Sequence, residues 1–283
     1  GADSALLYDT MLHYKKEDEY LKYEGRVTMV GNFSEAFAGI FSGLLAVYSL
    51  RLPFYVQSGI AFIGIPAAVA LTEHAAKTRI KNSFANIVQI IQYSLFTNKE
   101  LCYNIMFSGV IGAATLTMAW FVQPLLIELD TPTSWFGIIW TILNLTVGIS
   151  ALYSDKLDQR LGSLRMYTLI LFFIVGGYIA VAFNISYIGL VCLFFFYIVR
   201  GFATPILKGY INQITFSEMR ATVLSIRNFI IRLMFAAMAP LVGWLHDLYS
   251  LSIALQATAA IIFVPGLLFL ILQYRYKPRE TSL

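Results

Sequence analysis

Apolar residues run along this chain in long blocks broken by short polar connections. A hydrocarbon core of ~30 Å takes about 20 residues of α-helix to cross, so each block reads as one spanning helix. Blocks are placed at 27–50, 53–73, 102–126, 134–154, 166–184, 187–207, 221–245 and 251–274. The stretch GADSALLYDTMLHY before them reads as the last turns of one more helix. With Gly1 first and no cleavable signal peptide, the chain is expected to be a fragment whose N-terminal helices are missing. The fold class predicted is all-α, a polytopic transmembrane helix bundle.

The longest connection, 74–101, has a pattern of its own. Ile80, Phe84, Ile87, Val88, Ile91 and Leu95 fall at helical spacing with Asn, Gln and Lys between them. That predicts an amphipathic helix on the membrane surface, either a strap between two bundles or a regulatory partner site. The predicted organisation is the remainder of an N-terminal half at 1–73, the linker at 74–101, a six-helix half at 102–274 and a tail at 275–283.

Composition supports lipid as the solvent. The chain is 58% hydrophobic and 13% charged, with mean hydropathy +0.70, where soluble domains are nearer 25% charged. Of the 20 lysines and arginines, alternating loops put all but four on one side: only Arg51 falls opposite, and Arg200, Arg227 and Arg232 lie within spans. Positive charge marks cytoplasmic loops, so the C-terminal tail is predicted to be cytoplasmic and the protein to sit in the cell membrane. The net charge of +4 is scattered over short loops, which argues against a nucleic-acid partner. Cys102 and Cys192 read as packing residues. His13, His74 and His246 form no ligand group, and no Gly-rich phosphate loop is present. No metal or cofactor is expected, nor an enzyme's catalytic constellation. A monomer is expected.

The charges inside the spans are the candidate chemistry. Arg220 and Arg227 share a helical stripe, and Arg232 lies about 140° round from Arg227. Arg227 is shallow enough for its side chain to snorkel to the interface. Arg232 lies ~18 Å in, where a cation costs roughly 2.5 kcal/mol or more facing lipid; it should face a wet cavity or a counter-charge. Ser225, Asn228 and Arg232 form one polar face. Glu35 and Asp3 are the candidates for proton coupling, since burial favours the protonated carboxyl. Asn104 and Gln123 on one span, and Trp140 and Asn144 on the next, line plausible cavity faces for an amphiphilic or uncharged solute. Arg200 reads as a gate residue pairing with Asp9 or Asp155. Gly39 and Gly43 have the spacing of a close-packing motif.

Several motifs resemble the major facilitator superfamily. SALLYDTM with YEGR is similar to the end of that family's fourth helix and the start of its fifth. ALYSDKLDQRLG, carrying Asp155, Lys156, Arg160 and a late Gly162, looks like its loop between the eighth and ninth. RATVLSIRN…PLVGWLHDL resembles the eleventh. EGRVT at 24–28 and EMRAT at 218–222 echo one another, as equivalent helices of a two-half transporter would. The resemblance implies helices four to twelve of an MFS-like bundle. It implies a secondary transporter that moves a small-molecule substrate by alternating access; the candidate carboxylates point to H+ as coupling ion, and the mixed charges with aromatics lean to efflux. An uptake symporter or uniporter, or an inert or non-transporting relative, is the alternative. Asp9, Asp155, Arg160, Arg200 and Arg220 would be its gating charges.

Overall fold

A computed structural model describes residues 2–49, 51–70 and 84–276. Among them every regular element is a helix: α1 (Ala2–His13), α2 (Tyr20–Tyr48), α3 (Leu52–Val69), α4 (Phe84–Gln92), α5 (Lys99–Glu128), α6 (Thr133–Ala151), α7 (Ser154–Leu161), α8 (Ser163–Phe183), α9 (Tyr187–Gln213), α10 (Arg220–Leu248) and α11 (Leu251–Tyr276). Six helices are long and apolar enough to cross a membrane: α3, α5, α8, α9, α10 and α11. The count rises to seven if α6 and α7, bent 49° apart, make one span. The protein is an all-α bundle of membrane-spanning helices. Each of the eight apolar blocks reappears as a helix. α2, interrupted by Asn32, Ser34 and Glu35, is not among the six.

The core lies among α5, α6, α8, α9, α10 and α11. Phe107, Met118, Leu143, Met166, Tyr178, Phe196 and Tyr197 fill it with side chains almost wholly out of solvent. Outside it, α2 leans on α6, α1 on α10, and α3 packs chiefly on α2 and buries none of its residues. Small residues set these approaches. A Cβ on Gly25 would strike the Ala151 carbonyl, and one on Gly148 would meet Phe33 Cδ1 at 2.7 Å, so α2 and α6 pack backbone to backbone.

Helix ends follow residue chemistry. Asn98 Oδ1 accepts from the Leu101 amide at 3.0 Å and starts α5; Ser186 Oγ does the same for Ile188 at 3.2 Å on α9. Gly162 stops α7 at φ +73°, a backbone region that glycine enters without strain. This explains the late glycine in the ALYSDKLDQRLG motif.

α10 runs alongside α5 in the same direction, and α11 runs against both. Tyr103 and Tyr276 rings meet 6.1 Å apart at one end; His246 and Glu128 meet at 3.4 Å at the other. The first end also carries Lys15, Lys16, Lys22, Arg26, Lys99, Lys156, Arg160, Arg165, Lys208 and Arg220, and is called the basic end below.

The described part of the linker, from Phe84 onward, is a helix packed against the bundle. Ile90 is buried in a cluster with Leu101, Ile105, Val223 and Ile226, and a π-helical turn at Tyr93–Thr97 carries the chain into α5. Ile87 and Val88, expected on the same apolar stripe, stay exposed. The strap is thus clamped onto α5 and α10 by the face that includes Ile90. Ile80, His74, Lys77, Arg79, Lys81 and the tail from Lys277 lie outside the described residues, as does Gly1.

Candidate functional site

The densest polar construction joins α1 and α2 to α9 at the basic end. Glu24, on the first turns of α2, has no exposed surface. Lys208 Nζ donates to its Oε1 at 2.8 Å, Ser4 Oγ donates to Oε1 at 2.9 Å, and Tyr20 OH donates to Oε2 at 3.0 Å. Lys208 also reaches Ser4 Oγ at 3.0 Å, and Asn212 Nδ2 donates to Tyr20 OH at 2.8 Å. A carboxylate can be held out of water only where donors and a counter-charge replace its hydration, and all are here. Ser4, Tyr20, Glu24, Lys208 and Asn212 make one network across three helices.

A second ion pair abuts the first. Arg220, 3% exposed at the start of α10, pairs with Asp9 of α1. Its Nη2 donates to the Thr215 carbonyl at 2.8 Å, and Ser217 Oγ donates to Asp9 Oδ1 at 2.8 Å. The guanidinium lies 4.2 Å from the Tyr8 ring centre, and Tyr8 meets Tyr20 edge-on at 4.8 Å. The tyrosine pair joins both ion pairs into one seam. Beside it, Tyr167 OH donates to Asn104 Oδ1, Tyr210 OH donates to Asp158 Oδ1, and the two tyrosine rings meet at a tilt of 51° with centres 5.0 Å apart, tying α5, α7, α8 and α9 together.

Other candidates are placed as follows. Arg227 does not snorkel. It is 5% exposed, with Nε donating to Ser108 Oγ at 2.5 Å and Nη1 to Asn228 Oδ1 at 3.0 Å. It shares the inward face with Arg220, so burial on α5 wins over the reach to the interface. Arg232 points the other way. It is exposed and makes no hydrogen bond or ion pair among the described residues, so the expected counter-charge is not supplied by them. Arg200 does not pair with Asp9 or Asp155. Its guanidinium lies 5.2 Å from the Tyr197 ring, and its Nη1 is enclosed without a partner, as is Tyr197 OH.

Glu35 and Asp3 are both exposed, against the burial expected of proton-coupling groups. Asp155 accepts from Gln159 Nε2 at 3.0 Å on its own helix, and Arg160 is exposed. Asn104 and Asn144 are buried inside the bundle, the latter donating to the Trp140 carbonyl at 3.0 Å; Trp140 is half-buried and Gln123 exposed. These four do not share one lining.

Glu24 and Lys208 were missed because each reads alone as a loop anchor. A local signal existed: Ser4 and Tyr8, Tyr20 and Glu24, and Lys208 and Asn212 are all polar pairs four apart beside the basic end. The two echoing motifs also divide their charges. α2 buries Glu24 and exposes Arg26; α10 buries Arg220, and Glu218 in the short turn before it is exposed.

Compared with known proteins, the chain matches no family model and no curated protein.

Proposed function

We propose that this protein is a secondary transporter of the major facilitator type, moving a small organic solute across the cell membrane by alternating access. The observation that carries the reading is the seam of Glu24–Lys208 and Asp9–Arg220. It joins α1 and α2 to α9 and α10 at the basic end, whereas the described pair at the other end, His246–Glu128, links α10 to α5. Ion pairs between α1 or α2 and the later helices favour closure at the basic end, and their exchange for water or solute allows it to open. The basic end is the cytoplasmic one, so the seam closes the inner mouth and the solute path faces outward. On this reading Arg232, exposed on α10, would meet the solute, with Asn228 one turn before it on the helix. Proton coupling and export, with H+ entering as solute leaves, follow from the same reading.

Proteoliposomes carrying the full chain test it. An imposed pH gradient should drive flux of at least one solute from a chemically mixed panel. Glu24→Gln should raise labelling of single cysteines placed along the inner parts of α2 and α9. Flux absent under either gradient polarity, together with labelling unchanged by that substitution, sinks the reading.

A further inference from the structure

Within the buried part of the described structure, charge does not balance. Glu24 is the one buried carboxylate there, whereas Arg220 and Arg227 are both buried cations and Lys208 is mostly so. Arg220 has Asp9. Lys208 has Glu24 at 2.8 Å. Arg227 has only neutral hydrogen-bond partners, Ser108 and Asn228. Among the described residues the buried cations therefore outnumber the buried carboxylate. Asp3 acts on Lys208 as well, but from an exposed position where water screens it.

Further along α9, on the stripe of Lys208 and Thr204, Arg200 adds a third cation about 12 Å away. Its Nη1 and the neighbouring Tyr197 OH are both enclosed and unpartnered. Tyr197 has no exposed surface. Buried donors without acceptors are costly, and a guanidinium beside a phenol is a ready two-point donor for a carboxylate. Arg227 and the Arg200 Nη1 are already enclosed by these helices, so a missing counter-charge has to come from something that enters when the helices part.

We propose that the solute is an organic carboxylate, and that Glu24 holds the place of its carboxyl group while the site is empty. The inference rests on the transport reading above. When the seam parts, Lys208 leaves Glu24 and takes the solute's carboxylate, and Arg200 with Tyr197 supplies the second binding point deeper in. No covalent change occurs: one carboxylate replaces another at the ammonium.

Binding to the purified full chain, measured by calorimetry, tests this. The probes are benzoate, octanoate and succinate, each beside its uncharged amide. At least one carboxylate should bind about tenfold tighter than its amide. Glu24→Gln, which removes the internal competitor, should tighten carboxylate binding by about tenfold; Lys208→Met should weaken it by as much. Should Glu24→Gln not fold, Ser4→Ala takes one donor from Glu24, leaves it more dependent on Lys208 and should weaken carboxylate binding several-fold with amide binding unchanged. A purely structural ion pair would leave carboxylate binding weaker or unchanged in Glu24→Gln and would weaken acid and amide alike in Ser4→Ala, and either result overturns the proposal. So does equal binding of amide and carboxylate, or no carboxylate binding at all. If cysteine labelling still shows Glu24→Gln opening the inner mouth in that case, the transport reading survives alone. If carboxylates bind as expected while labelling and flux never respond, the anion site stands and transport falls.

Discussion

Lys208 Nζ sits 2.8 Å from Glu24 Oε1 and 3.0 Å from Ser4 Oγ, so a single ammonium fastens α9 to both α1 and α2. The two partners are not equally enclosed: the Lys208 side chain keeps 20% of its surface and Glu24 none. The asymmetry decides what each substitution does. Lys208→Met strands a buried carboxylate and should destabilise the protein by about 3 kcal/mol, the lower end of the range for a broken buried pair because the ammonium is partly wet. Lys208→Met with Glu24→Leu should recover most of that loss. Denaturant titration in detergent measures both.

Arg220 performs three tasks at once, pairing with Asp9, donating to the Thr215 carbonyl and covering the Tyr8 ring. An ammonium cannot spread over all three. Arg220→Lys should therefore cost about 1–2 kcal/mol although charge is conserved, and thermal unfolding should show it.

Among the described residues Arg232 has no hydrogen bond or ion pair to lose. Arg232→Gln should change stability by less than about 0.5 kcal/mol. Solute flux in proteoliposomes should nevertheless fall at least tenfold. Normal flux would remove Arg232 from the solute path.

Backbone approach between α6 and α9 depends on Gly201, where a Cβ would run into Ser150 Oγ and the Val147 carbonyl at 2.5 Å. Gly201→Val should destabilise by about 1–3 kcal/mol as an overpacked contact. Gly176, with nothing within 4 Å of its would-be Cβ, should accept alanine without that loss. Paired melting curves of the two variants make the comparison.

Sidedness can be read directly. Tyr14 is 61% exposed at the basic end and Tyr249 64% exposed at the other. In a background without Cys102 and Cys192, Tyr14→Cys should react with a membrane-impermeant maleimide only from the cytoplasmic side. Tyr249→Cys should react only from outside. The reverse pattern inverts the proposed orientation.

Much of the helix plan was legible because lipid imposes a simple demand, an unbroken apolar run of fixed length. The stripe logic on α10 also held. Arg220 and Arg227 lie on one face and Arg232 on the opposite side. What periodicity could not say was which face packs, and so Arg227 was assigned to the interface although Ser108 of α5 holds it inside. The short α7 stayed hidden within a polar loop. Ser154, tucked against Gly25 of α2, buries its first turn, a contact with no local signature. Asp9 and Arg220 were singled out from sequence as gate charges. Glu24 and Lys208 were not, since 184 residues separate them and only helix packing introduces one to the other.

On the proposed transport reading, the dryness of Glu24 would set how tightly the carrier is geared. Pulling α9 away with nothing at hand would leave a bare anion in oil, an expensive posture that thermal motion visits seldom. Idle swings of the empty carrier would be suppressed, and slippage of the driving gradient with them. A proton on Glu24 would remove that cost, whereas an anionic guest on Lys208 would leave Glu24 to Ser4 and Tyr20 alone.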